Sequence, residues 1–411
     1  MARRKQISTT RSTWRGEEIT HRTDRVIVKI PVEKRKPDAE GARRTAEEIA
    51  GSVEGAEIQR LSVGTGTLVL RVPEGTDIMA LVQELSERPD VLNAAPDRVT
   101  SVTVTPSDTR YSEQWAFPKI SAEPAWDRET GASNVLIAVL DTGISLQNGA
   151  LTHPDLDDAA RYLLGTDFVS DDAVPEDGYG HGTHVAGTAG AESNNAQGVA
   201  GMNWVSQVYV CRIFDDFGNG SESDFQAAVE EVVDYGVANG LKVVINLSAG
   251  WFSDSTTLSD ACDYVNSHGM VLSVATGNEG GDLRWPAVHS ADFAGVIAVG
   301  ATDDTDSVAG FSNVGPAVNV VAPGVSILST FPTYDVNGDT AHDYVSWDGT
   351  SMATPHVTGL ASLVWSRVPQ LTNAQVRDVI ENTAVKLGPG TFDDSWGHGR
   401  ISAVDAVTKA G

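Results

Sequence analysis

Short, continuously apolar runs recur in the second part of the chain, and amphipathic stretches lie between several of them. The apolar runs predict strands over residues 135–140, 207–214, 242–247, 270–275 and 296–299, and residues 224–238 have helical periodicity. Continuous apolar strands that alternate with helices are typical of a parallel sheet covered on both faces. The sequence therefore predicts an α/β domain over residues 108–411. Its doubly wound, mostly parallel sheet should collect the chemistry at the carboxyl ends of its strands.

The first 107 residues follow a different pattern. Strands are predicted over residues 25–30, 56–63, 67–72 and 91–99, and helices over 42–50 and 77–87. This β-α-β-β-α-β order predicts a small ferredoxin-like α+β domain over residues 25–107. Residues 1–24 are polar and basic without periodicity, which predicts a disordered tail. A join rich in Thr, Ser and Val, residues 100–107, leads into the larger domain.

Charge is divided unevenly between these two parts. Residues 1–107 carry 17 Lys and Arg against 16 Asp and Glu, which leaves 12 against 40 for residues 108–411. So acidic a surface repels nucleic acid and anionic membranes, and neither is expected as a partner. It is compatible with cation binding, with solubility in high salt, and equally with a general solubility bias.

Two further features of the sequence bear on the cellular location of the protein. No run of about 18 apolar residues is present, so no membrane span is expected. The first 25 residues hold seven Lys and Arg and no apolar core of a signal peptide. Either the protein is not exported by that route, which leaves a cytoplasmic location open, or its native start is a different one. The two cysteines, Cys211 and Cys262, are expected to be buried small apolar residues, and a disulfide between them stays open.

The segment that first suggests chemistry is residues 349–355, Gly-Thr-Ser-Met-Ala-Thr-Pro, because Ser351 stands where a predicted helix, 352–365, begins. Free backbone N–H groups at a helix start favour a developing negative charge, which suits a nucleophilic serine. A serine at this position is nevertheless more often an ordinary N-cap. The nucleophile hypothesis therefore depends on a base that activates the hydroxyl.

Candidates for that base and its partner follow two other elements. Asp141 ends the apolar run 135–140, and His181 opens a small-residue stretch, Gly-His-Gly-Thr-His-Val-Ala-Gly. His181 could take the proton from Ser351 while Asp141 fixes the imidazole tautomer. His181 and His184 could instead ligate a metal, but the sequence places no third ligand beside them. Asn278, just past the run 270–275, could donate to an oxyanion together with the Ser351 N–H.

These motifs together resemble the subtilisin-type serine proteases. They are Asp141-Thr-Gly, His181-Gly-Thr-His-Val-Ala-Gly-Thr, Ala-Thr-Gly-Asn278-Glu-Gly and Gly-Thr-Ser351-Met-Ala-Thr-Pro-His. The order Asp, His, Ser is the one known for subtilisin. The resemblance covers residues 108–411 and implies a subtilisin-like fold and a serine endopeptidase that acts through an acyl-enzyme.

The resemblance also implies residues that bind substrate. Gly218, Asn219 and Gly220 match a glycine-rich edge that pairs with an extended peptide. The walls of the primary specificity pocket are implied at Ser248, Ala249, Gly250, Ala275, Thr276 and Gly277. Ala249 departs from the family pattern Ser-Leu-Gly. Arg284 falls near the implied pocket floor and could favour acidic or polar side chains, although a surface arginine that points away is the simpler interpretation.

A structural Ca²⁺ ion is a further implication. The ligands implied by the family spacing are Asp108, Asp155, Glu192, Asn195, Gln197 and Val199. Carboxylate, amide and carbonyl oxygens suit a hard cation. An Asn- and Gly-rich turn without an ion is the alternative.

By position and element order, residues 25–107 resemble the inhibitory propeptide of this family. The resemblance thus implies an autoprocessed, secreted zymogen that is monomeric, with its own propeptide and protein or peptide substrates as partners. An independent accessory domain is the alternative for residues 25–107. For the large domain, the rival functions are a proteolytically silent binding module and a carboxyl-ester hydrolase.

Overall fold

A computed structural model describes residues 8–15, 17–32, 38–99 and 104–411. By its internal contacts the chain divides into two units, Met1–Val102 and Thr103–Gly411. The division falls within the Thr/Ser/Val-rich join, and the two units are treated separately below.

The N-terminal unit is an antiparallel sheet with two helices. Its elements are β1 (Thr9–Trp14), β2 (Glu17–Lys29), α1 (Ala39–Gly51), β3 (Glu57–Ser62), β4 (Thr67–Arg71), α2 (Ile78–Ser86) and β5 (Asn93–Arg98). In the described part of this unit the strand order is β1-β2-β4-β3, and β5 also pairs with β2. From β2 onward the order is the predicted β-α-β-β-α-β. Asp38 and Asp77 cap the two helices with their side chains, and alternate residues of β2, Val26 and Val28, are buried in the core.

The prediction of a disordered tail over residues 1–24 is wrong where the structure describes that segment. Residues 9–14 and the first part of β2 form a hairpin, with Thr9 opposite Arg22 and Trp14 opposite Glu17. Ile19 and His21 are buried within it. The polar composition of this segment did not suggest a strand. Strands nevertheless pair through their backbones, and only every second side chain has to be apolar. Residues 1–7 lie outside the described part.

The second unit alternates strands and helices over residues 162–275, with runs of strands and of helices on either side. Its strands are β6 (Val135–Asp141), β7 (Leu146–Gln147), β8 (Ala150–Leu151), β9 (Tyr162–Asp167), β10 (Gln207–Arg212), β11 (Lys242–Leu247), β12 (Val271–Ala275), β13 (Val296–Thr302), β14 (Val320–Pro323), β15 (Ile327–Thr330) and β16 (Tyr344–Trp347). Its helices are α3 (Ala116–Lys119), α4 (Ala122–Trp126), α5 (His181–Gly190), α6 (Glu222–Asn239), α7 (Thr256–Ser267), α8 (Thr350–Arg367), α9 (Asn373–Thr383) and α10 (Ala403–Ala410).

Seven strands of the described residues form one parallel sheet, in the order β14-β13-β12-β11-β6-β10-β9. All five strands predicted from apolar runs lie in it. The side chains of β6 alternate between its faces: Leu136, Ala138 and Leu140 pack with α6 and α7, whereas Ile137 and Val139 pack with α5. Helices therefore cover both faces, and the predicted α/β class with a doubly wound parallel sheet is confirmed.

Cys211 and Cys262 are both buried and free, on the face covered by α6 and α7. The prediction of buried small residues holds, and no disulfide joins them. Among the helices that the structure describes, none is long and apolar enough to cross a membrane.

Candidate active site

Three neighbouring strands of the parallel sheet end at the same edge and carry polar residues there. Asp141 ends β6, Ser248 follows β11, and Thr276 follows β12. Because β6 pairs with β11 and β11 with β12 in parallel register, these three ends lie side by side. The edge is the one at which open α/β sheets place their ligands.

The carboxylate of Asp141 forms a short hydrogen bond with the imidazole of His181. His181 Nδ1 lies 2.7 Å from Asp141 Oδ1, and the same oxygen accepts from the N–H of Thr142 at 2.8 Å. Asp141 is fully buried, whereas the His181 side chain keeps 18% exposure. The carboxylate can only accept, so Nδ1 carries the proton and Nε2 is the basic nitrogen of the ring.

Burial by itself would lower the pKa of His181. The charge of Asp141 and its hydrogen bond offset that effect, with a smaller contribution from the charge of Asp177, and the pKa of His181 lies above its ordinary value. A group with this raised pKa, held in one tautomer, is suited to accept a proton near neutral pH.

Glycines explain why His181 can come so close to the end of β6. Gly180 has a φ of 98°, a conformation that L side chains rarely adopt. A Cβ added at Gly182 would lie 2.3 Å from the carbonyl oxygen of Gly143. The Gly-His-Gly triplet is thus the local sequence that lets the helix start against the Asp141 turn.

Ser351 is the second residue of α8 and is not its N-cap. Gly349 occupies the cap position, so the N-cap interpretation of Ser351 is wrong. Instead, Ser351 and Ser248 are joined by two reciprocal hydrogen bonds: Ser351 Oγ donates to Ser248 O at 2.9 Å, and Ser248 Oγ donates to Ser351 O at 2.8 Å. This pair fixes the start of α8 against the end of β11.

In the described part of the chain, no hydrogen bond joins Ser351 Oγ to His181. The two residues nevertheless share a neighbour, because Ser248, bonded to Ser351, lines a cavity together with Asp141 and His181. Hydrogen bonds of catalytic serines are often long or misdirected in the free enzyme. A turn of the Ser351 side chain away from Ser248 is what an Nε2 contact requires.

The Asn278 amide is held through its oxygen, and its nitrogen has no hydrogen-bond partner among the described residues. Its Oδ1 accepts from Thr350 N at 2.8 Å and from Thr350 Oγ1 at 2.9 Å. Because a backbone N–H can only donate, the atom that faces it is Oδ1, and Nδ2 points elsewhere. A Cβ added at Gly349 would lie 3.6 Å from both Asn278 Nδ2 and the Ser351 amide nitrogen. Two donors thus flank the same small space beside Gly349.

The cavity that Asp141, His181 and Ser248 line measures about 200 Å³. Its lining residues are Asp141, Thr142, Tyr179, His181, Phe214, Phe217, Gly218, Ser248 and Ala249. Three residues with a predicted substrate role therefore line it: Gly218, Ser248 and Ala249. Gly220 pairs with Phe214 in an isolated bridge, and the Asn219 side chain lies on the carboxylate of Asp215.

The predicted pocket walls meet at Arg284. A Cβ added at Gly250 would lie 2.6 Å from Arg284 Cβ, and one added at Gly277 would lie 2.6 Å from Arg284 Cγ. Arg284 N also donates to the carbonyl of Thr276, which follows Ala275 at the end of β12. Its side chain keeps only 12% exposure, so the interpretation as a surface arginine that points away is wrong.

The charge of Arg284 is matched by a carboxylate. Its Nη2 lies 2.9 Å from Glu279 Oε1, and its guanidinium carbon lies 3.0 Å from the ring centre of the exposed Phe252. The hydrogen bond from Arg284 lowers the pKa of Glu279. The aliphatic part of Arg284 therefore closes the space between the walls, and its charge is paired.

Aromatic residues near His181 were not predicted from the sequence. The ring centre of Trp347, in β16, lies 6.1 Å from that of His181 and 5.3 Å from that of His184, on which it stacks. Tyr179 lies 6.4 Å from His181. A tryptophan three residues before Thr350 carries no motif, and only the β15–β16 hairpin brings it to the imidazole.

His184 and His356 are both buried, and one ring nitrogen of each is held by backbone carbonyls. His184 Nε2 contacts the carbonyls of Ile327 and Val345, and His356 Nδ1 contacts that of Met352. Burial lowers the pKa of His184 to about 3 and that of His356 to about 4. In the described residues no group of three His, Cys, Asp or Glu side chains suits a metal ion.

The predicted calcium ligands form a separate cluster. Asp155 is fully buried, and its carboxylate accepts from Asn195 Nδ2, Val199 N and Tyr344 OH at 2.9–3.0 Å. Asp108 accepts from Asn194 N through Oδ2, while its buried Oδ1 has no partner among the described residues. Burial and, more weakly, the charge of Asp155 raise the pKa of Asp108.

The other predicted ligands are gathered at this cluster but are engaged with protein groups. Asn195 Oδ1 accepts from Gln197 N, and Gln197 O accepts from Thr109 N. Glu192 donates its N–H to Asp155 O, and its carboxylate accepts from Asp158 N. The unpartnered Asp108 oxygen, next to a second buried carboxylate, is what a cation would satisfy.

The chain is similar to one protein family and to several known proteases. Residues 132–399 match the Subtilase family. A thermophilic serine proteinase of Bacillus sp. (strain AK1) is 40% identical over 334 residues, which are 81% of this chain and 76% of the relative. An extracellular protease of Xanthomonas campestris pv. campestris is 36% identical over 394 residues, 86% of this chain and 65% of the relative's length. A solved protease of Pseudoalteromonas arctica PAMC 21717 superimposes with a TM-score of 0.63 at 29% identity, covering 75% of this chain and 100% of that one.

The chain belongs to the subtilase family. It is a subtilisin-type serine endopeptidase.

Proposed function

We propose that Ser351 is the nucleophile, His181 the general base and acid, and Asp141 the group that orients His181. The observation that carries this assignment is the 2.7 Å bond between buried Asp141 and His181, at the strand edge where Ser248 holds Ser351. Asp141 fixes the Nδ1–H tautomer, so that the lone pair of Nε2 is available to the serine proton.

In the acylation step, Ser351 Oγ forms a bond to the carbonyl carbon of a peptide, and its proton passes to His181 Nε2. The carbonyl electron pair moves onto the oxygen, which Asn278 Nδ2 and the Ser351 N–H stabilise. His181 then gives the proton to the leaving nitrogen as the C–N bond breaks. Water repeats the sequence on the acyl-enzyme, releases the acid and restores the Ser351 hydroxyl.

Replacement of Asn278 by Ala tests the oxyanion assignment. We expect kcat to fall about 10²–10³-fold with little change in KM, the size known for the equivalent donor of subtilisin. Asn278 Nδ2 has no partner among the described residues, so its loss should act mainly on the transition state, whereas loss of Oδ1 leaves Thr350 N and Oγ1 without that acceptor.

Steady-state kinetics on a peptide anilide measure this effect, with Asn313→Ala as the control for a nearby buried amide that binds Glu279. A loss of less than fivefold for N278A would contradict the role.

The substrate is proposed to bind as an extended strand along Gly218–Gly220, with one side chain in the pocket between the Ser248–Gly250 and Ala275–Gly277 walls. Arg284 fills the far end of this pocket, so we infer a shallow pocket that disfavours large side chains. Because Glu279 pairs with the guanidinium, the attraction for acidic side chains should be weak in the native protein.

Two variants separate space from charge at this pocket. Arg284→Ala should raise kcat/KM for Phe and Leu peptides relative to Ala peptides by about tenfold, since room for added methylenes is worth 1–3 kcal/mol. Glu279→Gln should instead raise the relative rate on Glu peptides, because it leaves the Arg284 charge unpaired. The measurement is kcat/KM for Phe, Leu and Glu peptides, each divided by the value for the Ala peptide. If both variants rank these peptides as the wild type does, Arg284 does not determine specificity.

The Asp108–Asp155 cluster is proposed to hold a structural Ca²⁺ ion. The two carboxylates would bind it with the Asn195 amide oxygen and the carbonyls of Glu192, Gln197 and Val199. The ion would neutralise two buried charges and bind the partnerless Asp108 oxygen.

Removal of calcium should lower the melting temperature, because a ligand that binds only the folded state at about 100 times its Kd adds about 2.7 kcal/mol. Calorimetry of the Ser351→Ala protein, with EDTA and with added Ca²⁺, avoids autolysis. Asp108→Asn should abolish the Ca²⁺-dependent rise, whereas Asp172→Asn, in an exposed turn, should keep it. An EDTA-insensitive melting temperature would rule out the site.

The N-terminal unit is proposed to be a propeptide that assists folding, inhibits the enzyme and is removed by autoprocessing. Its support is the ferredoxin-like order of β2 to β5 and its position before the peptidase unit. We further propose a secreted monomer that acts on proteins and peptides. One relative is named as an extracellular protease, which supports export.

A further inference from the structure

The helix that carries His181 begins without a capping side chain of its own. Gly180 stands at the N-cap of α5 and has none to offer. The free N–H groups of the first turn must therefore be satisfied from elsewhere. Asp177, four residues before His181 and fully buried, accepts one of them, from Thr183, and also binds Thr142, which accepts another, from Gly182.

The two carboxylate oxygens of Asp177 accept five hydrogen bonds from described residues. Oδ1 accepts from Thr142 Oγ1 at 2.8 Å, Tyr179 N at 3.0 Å and Gly180 N at 2.7 Å. Oδ2 accepts from Thr183 N at 2.8 Å and Thr183 Oγ1 at 2.6 Å. All these donors are neutral, so the negative charge is held by dipoles, and no ion pair among the described residues involves Asp177.

The same network reaches the residue that follows Asp141. Thr142 Oγ1 donates to Asp177 and accepts from Gly182 N at 2.8 Å. The N–H of Thr142 in turn donates to Asp141 Oδ1, the oxygen that binds His181. Through Thr142, Asp177 thus connects the start of α5 to the end of β6 on both sides of the Asp141–His181 bond.

We propose that Asp177 is a positioning residue for the catalytic base, which fixes His181 against Asp141 and adds a second negative charge beside the imidazole. This inference rests on the proposed role of His181 and extends it. Without Asp177 the first turn of α5 would lose its cap and the imidazole would lose its fixed direction. A displacement of about 1 Å costs about 10²-fold in rate.

The charge has a separate, measurable consequence. His181 faces Asp141 from β6, Asp177 from the preceding loop, and His184 on its own helix, which stays neutral. Tyr179 and Trp347 contribute neighbouring rings. Because a nearby anion favours the imidazolium, its loss should let His181 deprotonate at lower pH. Catalysis needs the neutral base, so the acid limb of the pH profile of kcat/KM should shift to lower pH.

The test is the pH profile of kcat/KM for Asp177→Asn in the full chain. We expect a plateau lower by about 10²-fold and an acid limb lower by roughly 0.5 pH unit, the effect of one charge several ångströms away. Thr183→Val keeps the charge and removes one hydrogen bond, so it should lower the plateau by a smaller factor without moving the limb. Asp303→Asn is the control, because that carboxylate likewise accepts several neutral hydrogen bonds, in its case three, from Thr305 and Ser307.

The low-field NMR signal of the His181 Nδ1 proton gives a readout independent of turnover, and we expect it to broaden or vanish in D177N. If D177N does not fold, the Thr183→Val plateau and proton signal decide. A plateau and limb like those of the wild type in both variants, with a fluorophosphonate label still on Ser351, would overturn the positioning role alone. Loss of labelling in the wild-type protein would instead refute the proposed function.

Discussion

Replacement of Ser351 by Ala should abolish peptide hydrolysis, with kcat lower by about 10⁶-fold, the size measured for the nucleophile of subtilisin in the same family. Only the hydroxyl that would attack the substrate is removed. Ser351 Oγ makes one hydrogen bond to the described residues, to Ser248 O, so the loss of stability should be about 1 kcal/mol. Hydrolysis of casein and of a peptide anilide measures the rate.

The same variant tests autoprocessing. The Ser351→Ala chain should keep its full mass of 43.4 kDa, whereas the wild type should lose the N-terminal unit, and N-terminal sequencing of both would locate the cut. Ser366→Ala is a matched control on the same helix, since its Oγ donates to Ser362 O one turn earlier. Shortening of the S351A chain in isolation would contradict self-cleavage, and residual casein hydrolysis by it would contradict the nucleophile.

Replacement of Asp141 by Asn should lower kcat by about 10⁴-fold. The asparagine would present either an N–H or a neutral carbonyl to His181 Nδ1. If it presents the N–H, the imidazole proton moves to Nε2, and Nε2 can then no longer accept the proton of Ser351. The loss of the buried charge would also lower the pKa of His181, which Asp141 now raises. The acid limb of any residual activity should therefore lie at lower pH than in the wild type.

The rate of fluorophosphonate labelling should fall with kcat in D141N, because both reactions need the activated serine. Labelling at the wild-type rate, together with loss of peptide hydrolysis, would show that Asp141 serves substrate binding rather than His181.

The apolar strands of the large sheet were predictable because burial on both faces leaves little room for polar residues. Residues 242–247 were predicted to the residue, and β6 and β12 within one residue at one end. The edge strands β9 and β14 were missed: β9 is only partly buried and β14 has four residues. In the N-terminal unit, the β1–β2 hairpin was not predicted because its sequence is charged and polar. Backbone pairing sets no requirement on exposed side chains, so such a sequence can still form strands.

The residue types of the site could be placed at strand ends and helix starts, but their contacts could not. Nothing in the sequence shows that Ser351 donates to Ser248, 103 positions earlier, or that Arg284 lies between Gly250 and Gly277. The positions of Asp177 and Trp347 in the sequence do not indicate a role beside His181 either. The turn before α5 brings Asp177 there, and the β15–β16 hairpin brings Trp347. These contacts depend on tertiary packing, which periodicity does not encode.

The most direct test of the central claim is to map the site of a fluorophosphonate label while casein hydrolysis is followed in the same sample. The proposed triad predicts one modified residue, Ser351, with activity lost in proportion to labelling. A label on Ser351 without any casein hydrolysis beforehand would indicate an ester hydrolase, and no label at all would indicate a silent binding module. Casein hydrolysis that persists after Ser351 is fully labelled would contradict the assignment of the nucleophile.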